Sequence, residues 1–405
     1  TKKNSKGQRM PKRFLSFFFL LLIFFGTFFL GWWLGQGETR IGDSKIVNLN
    51  LGKPKNVDFS LYWEAWSKLK DKTIYPIDAE KMIDDSISGM AASLGDPYTT
   101  FMGKSDNKRF KEDISGEFSG IGVEIIQKDG VPTIVAPLSD SPAEKAGLKP
   151  KDLIIEVDRE KTSDLGFEET INHIRGEKGT EVKLLILPEG AADPVEIKVQ
   201  RDTIVVKSVE SETKQSAGKK ILYIKIRQFG DDTAALFSEI ANEAVKNKPD
   251  GIVVDFRNNP GGYLESSINL SSYFLDGGVV VNEKGKNDKT KEYKTTHEST
   301  LLGIKTAVLI NGGSASASEI FAGALQDRGA GKIIGEKSFG KGSVQELVEL
   351  SNGSALKITI AHWLTPAGRL IDKDGIKPDI EIADDEKTGQ DEQLDRAILF
   401  ITSGK

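Results

Sequence analysis

The chain has 405 residues, 38% of them hydrophobic, enough for two or three domains with packed cores. It contains no cysteine, which excludes disulfides, a thiol nucleophile and cysteine metal sites, and its three histidines (His173, His297 and His362) share no metal-ligand spacing. Lys and Arg number 55 against 60 Asp and Glu, for a net charge of −5; Lys2, Lys3, Lys6, Arg9, Lys12 and Arg13 crowd the N-terminus, so the remainder is more acidic still, a balance that argues against nucleic-acid binding.

An uncharged run, FLSFFFLLLIFFGTFFLGWWLG, follows the basic segment over residues 14–35. As a helix it would span roughly 33 Å, enough for a bilayer, with Trp32 and Trp33 at the far end where an aromatic belt belongs. The expectation is a transmembrane anchor over 14–35, with residues 1–13 cytoplasmic and everything after Gly35 on the extracytoplasmic side of the cell membrane. A cleaved signal peptide is the alternative; Gly35-Gln36-Gly37 meets its small-x-small rule only weakly. The first residue is Thr1, not Met, which reads as a trimmed or incomplete N-terminus. Residues 36–56 are polar, a linker. Apolar spacing then predicts helices over 57–70 and 78–94, the second stopped by Gly95 and Pro97, in an N-terminal helical region spanning 57–113.

Residues 118–126 read FSGIGVEII, a glycine turn feeding a β-run. The N–H groups of such a turn can cradle a terminal carboxylate, and the strand edge can accept an extended peptide. Next come IVAPLSDSPAEKAGLKPKDLIIEVD, with a short helix over 142–146, and EETINHIRGEKGTEVKLLIL, a helix and then a strand. The ordered set resembles a PDZ domain, over 114–200. It departs from that pattern at Lys151 and Arg159, where the turns usually carry glycine. The resemblance implies peptide binding at Gly120, Ile121, Gly122 and Val123. Arg175, in the His173–Gly176 segment, reads either as a solvated charge at a helix end or as a sensor of tail binding that contacts the core near Gln345.

From 204 onward strands and helices alternate: a strand over 220–226, a helix over 231–247 capped by Asp231 or Asp232, and an apolar strand over 251–256 of the type covered on both faces. That strand runs into Arg257-Asn258-Asn259-Pro260-Gly261-Gly262 and a helix from Tyr263. Residues 287–298 are charged and read as a surface hairpin or loop. The candidate chemistry lies in 311–345, NGGSASASEIFAGALQDRGAGKIIGEKSFGKGSVQ. Serines 314, 316 and 318 sit at a strand-to-helix turn, where N–H groups are unpaired and the helix dipole favours negative charge. Lys341 stands between Gly340 and Gly342; burial would lower its pKa from about 10.4 towards neutrality and leave an amine able to take a serine proton. The same residues also fit close packing and a solvated turn. A β-stretch over 354–364, the runs LTPAGRLI and DGIKPDIEI, and an amphipathic helix over 391–401 complete the chain.

Together SASASE, FGKGSVQ, LGDPYTTFM and LTPAG with GIKPD resemble the carboxy-terminal processing protease family, exported serine peptidases carrying a PDZ domain. The resemblance runs from about 57 to 385. It implies an α/β core of the ClpP/crotonase type over 201–385, an inserted PDZ domain and a C-terminal helix within 386–405. It implies Ser316 as nucleophile, Lys341 as general base and Gln345 orienting the base. The N–H groups of Gly262 and Ala317 would bind the oxyanion, with Asp327 as structural support. It further implies protein or peptide substrates with free C-termini and no cofactor or metal, with self-association as one use of the N-terminal helices. Three rivals stand beside this reading. A Ser-His-Asp hydrolase would need a GxSxG elbow, whereas Ser316 is flanked by alanines. A crotonase-type acyl-thioester enzyme would need neither PDZ domain nor export. A catalytically inactive, membrane-anchored PDZ scaffold would bind tails without turnover.

Overall fold

The computed structural model describes residues 23–32, 39–41, 44–46, 56–383 and 389–403. The basic segment 1–13, most of the expected anchor and most of the linker lie outside the described residues. Residues 1–78 and 79–405 form separate compact units. In the first, residues 23–32 are helical with exposed phenylalanines. The helix Ser60–Lys72 gathers Tyr62, Trp63 and Trp66 into one aromatic cluster. Among the described residues no helix is long and apolar enough to cross a membrane.

The second unit opens with the helix Ala79–Ala92 and a turn into the short strand Thr100–Met102. Another helix, Lys104–Ser115, comes next; it falls largely within the expected helical region 57–113, but no stretch of its own is singled out for it in the sequence. Its sequence, KSDNKRFKEDIS, offers only Phe110 and Ile114 as apolar residues, so no stripe of period 3.6 announces it. Polar contacts hold it instead. Asn107 donates to Glu349 and to the Gly353 carbonyl, and Lys111 pairs with Glu349 at 2.7 Å. At its far end the Asp113 and Ile114 carbonyls accept from Gln228.

The domain whose sequence resembles PDZ follows. Its main sheet runs, from one edge to the other, Val195–Gln200, Glu181–Leu187, Leu153–Val157, Val131–Pro137 and Val123–Lys128. Alternate residues point inward, giving a core of Ile121, Ile134, Ile154, Val182, Leu184 and Ile186. Lys151 and Arg159, the two departures from the glycine pattern, keep the left-handed conformation, with φ of 69° and 74°. The turns survive at about 1–2 kcal/mol each for the non-glycine residue.

The core after residue 208 is a six-stranded sheet in the order Val209–Ser216, Lys219–Ile226, Gly251–Asp255, Thr306–Ile310, Lys332–Gly335, Ile380–Glu381, parallel apart from its first strand. Both faces are covered, which is why Gly251–Asp255 and Thr306–Ile310 are buried from end to end. On one face Ile224, Ile252, Val254 and Val308 meet Phe237, Phe274 and Phe321. On the other, Val253, Ala307, Leu309 and Ile334 meet Ala397 and Ile401 of the C-terminal helix Glu392–Ser403, which therefore packs as a layer of the core. Phe321 stacks edge-on to Phe256 and Phe274 at 4.9 and 5.6 Å; burying each ring is worth about 1.5–3 kcal/mol, and the trio fixes the helix Ala317–Asp327 on the sheet. A second sheet, Thr290–Lys294, Val279–Gly285, Ala355–Leu364 and Ser343–Glu349, lies beside it; Thr100–Met102 adds to it by pairing with Ala355–Leu364. The charged stretch around 290 is thus one arm of a hairpin.

Candidate active site

Three serines stand at the corner between Thr306–Ile310 and Ala317–Asp327, and the structure separates them. Ser314 is fully buried and its hydroxyl donates to the Phe256 carbonyl at 2.8 Å. Ser318 is fully buried and donates to the Asn259 carbonyl at 3.1 Å. Both are occupied in holding the corner to the neighbouring strand end. Ser316, between them, is partly exposed. Its backbone has φ 56° and ψ −113°, a strained corner costing about 1–3 kcal/mol that persists only where its surroundings hold it.

Glu319 does that holding. It is fully buried one turn into the helix. Its Oε2 accepts from the Ser316 N–H at 2.7 Å and from the Lys341 N–H at 3.0 Å. Its Oε1 accepts from the Ser338 hydroxyl at 2.6 Å and the Gly340 N–H at 2.7 Å. One carboxylate thus ties the serine corner to the FGKG loop, and a single oxygen carries the main chains of Ser316 and Lys341. Burial pushes the Glu319 carboxyl above its ordinary range against the pull of these four donors. The loop is gripped from the other side as well. Lys373 donates to the Gly340 carbonyl and Trp363 to that of Gly342. A Cβ at either glycine would strike the main chain of Asp372 or Lys373, so only glycine permits the approach.

The Lys341 side chain is half-buried, and burial lowers its pKa below the usual lysine value, partly offset by the nearby negative charge of Glu319. Opposite the serine lies the NPGG turn. A Cβ at Gly261 would fall 2.8 Å from the Ser316 Cβ, and one at Gly262 would run into the Phe229 carbonyl. Phe229 donates to the Gly261 carbonyl and accepts from the Tyr263 N–H, so the intervening Gly262 N–H faces the opposite way. Gly262 is exposed. Among the described residues neither its N–H nor that of Ala317, the first of the helix, has a protein acceptor. Two open donors therefore flank Ser316.

A profile of peptidase family S41 matches residues 220–382, and a PDZ profile matches 109–187. The carboxy-terminal processing protease CtpA of Bacillus subtilis (strain 168) is 38% identical over 86% of this chain and 71% of its own length. A probable CtpA-like serine protease of Staphylococcus haemolyticus (strain JCSC1435) is 37% identical over 94% of this chain and 75% of its own. The chain belongs to the carboxy-terminal processing proteases of family S41. It is a serine-type peptidase. Among solved structures, a photosystem II D1 C-terminal processing protease superposes with a TM-score of 0.51 at 29% identity, covering 80% of this chain and 87% of that one.

Other residues singled out in this protease take varied places. Gln345 lies on Ser343–Glu349 and its amide donates to Ser343 Oγ at 2.6 Å. Asp327 ends the helix and accepts from the Ala367 N–H and from Arg369, so it shapes the LTPAGR turn. Arg175 does not turn toward Gln345. Its guanidinium pairs with Asp113 at 3.0 Å and lies over the Phe118 ring, 4.7 Å from its centre; the helix Lys104–Ser115 presents the nearer acid. Sequence reasoning missed Glu319 as a site residue. It also missed Asn259, whose buried side-chain amide donates to the Ile226 carbonyl while its main-chain carbonyl accepts from the Ala315 N–H and the Ser318 hydroxyl. The available signals were a glutamate three residues past a helix-starting serine, the spacing of a capping box, and a second asparagine before the proline.

Proposed function

We propose that this protease is an endopeptidase that recognises the free C-terminal tails of proteins and cleaves peptide bonds near them, with Ser316 as nucleophile and Lys341 as its base. The observation that carries the reading is the division among the three serines: two are spent on main-chain carbonyls, and the partly exposed one shares a carboxylate oxygen with the lysine backbone. Ser316 Oγ attacks the scissile carbonyl carbon as its proton passes to the neutral Lys341 amine. The carbonyl oxygen becomes an oxyanion between the N–H groups of Gly262 and Ala317; each such donor is worth about 10²–10³ in rate. Lys341 then returns the proton to the departing amine. Water attacks the acyl-serine by the same route and frees the enzyme. Gln345, whose amide donates to Ser343 Oγ on the strand that continues from the Lys341 loop, steadies that loop rather than the amine itself. The parallel strands and flanking helices support placing the core in the ClpP/crotonase type.

Tail recognition falls to the PDZ domain. Val123–Lys128 is the edge strand of its sheet, open to an extended peptide. At the Gly120–Val123 turn the carbonyls of Ile121 and Gly122 already accept from Ala143 and Leu138, and the buried Ser119 hydroxyl has no protein partner. Donors rather than acceptors are left for a carboxylate. A substrate tail with a free carboxylate is therefore expected to be cleaved about tenfold or more faster, at limiting concentration, than the same tail amidated, the worth of a hydrogen bond to a charged group. Equal cleavage of the two would reduce the domain to a spacer.

The apolar run over 14–35 supports a single-pass anchor with the peptidase outside the cytoplasm. Protease added to intact cells is expected to digest residues beyond Gly35 and spare the basic segment; a soluble form starting near residue 38 would show a cleaved leader instead.

A further inference from the structure

The run LGDPYTTFM contributes more than a link between helices. Asp96 closes a tight turn: Oδ1 accepts from the Tyr98 N–H at 3.1 Å and Oδ2 from the Thr99 hydroxyl at 2.6 Å. The buried Thr99 in turn accepts from the Thr359 N–H at 3.1 Å. Thr100–Met102 continues as a strand on Ala355–Leu364, which also pairs with Ser343–Glu349, the strand that starts two residues after Lys341. Tyr98 is thereby pinned to the second sheet at the base of the FGKG loop, with its ring centre 5.9 Å from Lys341 Nζ.

We infer that Tyr98 is a positioning residue for proton transfer: its ring roofs the Lys341 amine and keeps bulk water off it. This rests on the reading of Lys341 as the base. The charged and titratable groups facing this spot are Glu319 from the nucleophile helix, Lys357 from Ala355–Leu364, and Asp96 and Asp372 beside the tyrosine, with His362 3.8 Å from Asp372. Lys357 lies under a second ring, Phe110, 5.5 Å from its centre, so two rings of the 96–110 segment cover the two amines. The phenol itself is held above its ordinary pKa by burial and by Asp372, Glu319 and Asp96, and it stays neutral through the working range. Two effects of the ring oppose each other. Shielding from water disfavours the ammonium, whereas attraction to the ring face favours it. At 5.9 Å the cation lies at the outer limit of that attraction, about 6 Å. Shielding dominates, and removing the ring raises the pKa of the lysine.

The test reads the activation of Ser316 without a peptide substrate: the rate of its modification by a fluorophosphonate from pH 6 to 10, in the full-length wild type and variants. In Tyr98→Ala the acid limb is expected to move up by about one pH unit, which makes modification about tenfold slower near neutrality, with the rate recovered at high pH. In Tyr98→Phe the limb stays. A limb that is unmoved in Tyr98→Ala, or moved to lower pH, overturns the inference; so does a loss that is the same at every pH, the mark of a merely structural role. Should Tyr98→Ala fail to fold by circular dichroism, Tyr98→Leu is expected to shift the limb in the same direction by less, and no shift there overturns it equally. Lys341→Ala separates the two levels. If it is modified as fast as wild type, the Ser–Lys reading itself fails; if it is inert while the Tyr98 limb does not move, only the roof fails.

Discussion

Lys341→Ala is expected to lower the turnover of a protein substrate by about 10³-fold or more, because a base that acts as a unit with its nucleophile takes most of the catalysis with it when removed. Lys341→Arg should fail as well, since a guanidinium stays protonated. The loss will not be a folding defect. Burial holds the amine below the usual lysine value of 10.5, with Glu319 pulling weakly the other way. The unfolded chain therefore binds more protons at this position than the folded one. Its contribution to stability is unfavourable below the folded pKa and fades as the pH rises towards the ordinary lysine value. Removing the lysine relieves that cost, so the thermal midpoint of Lys341→Ala near neutrality should hold or rise. In the wild type the neutral amine is the working form, and turnover should climb with pH through the depressed pKa and fall below it. Casein hydrolysis set beside a melting curve decides the matter: a folded Lys341→Ala enzyme with near wild-type turnover would sink the assignment.

The site could be read from the chain where the chemistry is carried by residues that are close in sequence and constrained by backbone. The serine corner, the glycines around Lys341 and the NPGG turn all belong to this class, because each glycine marks a contact that a side chain would block. What stayed hidden depends on pairings between distant segments. Glu319 reads in sequence as one more charge on an amphipathic helix. Only the return of residues 338–341 over the helix start buries it and supplies two of its three N–H donors. Tyr98 is visible as part of a family run, but its place over Lys341 follows from Thr100–Met102 pairing with a strand some 250 residues later. The helix Lys104–Ser115 was illegible as a separate element because its polar contacts to Glu349, Asn172 and Gln228 replace an apolar stripe. That helix also redirected Arg175: with Asp113 beside it, the guanidinium had a nearer partner than the core.

Glu319→Gln is expected to be more damaging than an isosteric change suggests, lowering both stability and turnover. Each carboxylate oxygen takes two donors: Ser316 N–H and Lys341 N–H on Oε2, Ser338 Oγ and Gly340 N–H on Oε1. A glutamine has one oxygen. Whichever way the amide is turned, its NH2 group faces two donors and can accept from neither. The Ser338 hydroxyl can rotate away, since the Ile376 N–H also donates to it at 2.6 Å and it remains anchored. The cheaper flip therefore puts the NH2 against Ser338 and Gly340 and keeps the oxygen on Ser316 and Lys341. Even so, a buried Gly340 N–H is left without a partner, at about 1–3 kcal/mol, and the negative charge that steadies the loop is gone. Glu319→Ala removes both acceptor oxygens and opens a cavity beneath the serine, so it should cost more than the glutamine, at about 1–3 kcal/mol for each buried N–H left without a partner. In Glu319→Ala the strained Ser316 corner, released from its anchor, relaxes towards ordinary backbone geometry; in Glu319→Gln the corner keeps its acceptor, but the unpartnered Gly340 N–H loosens the FGKG loop and carries Lys341 off line from the hydroxyl. Turnover in Glu319→Gln should therefore fall by about 10²-fold, the cost of a misplacement on the order of 1 Å, with little change in KM under the proposed binding of tails at the PDZ domain. Urea unfolding and steady-state kinetics on the same sample read both effects. A glutamine variant with wild-type kcat and unfolding midpoint would mean that the serine corner and the FGKG loop keep their places without the carboxylate between them.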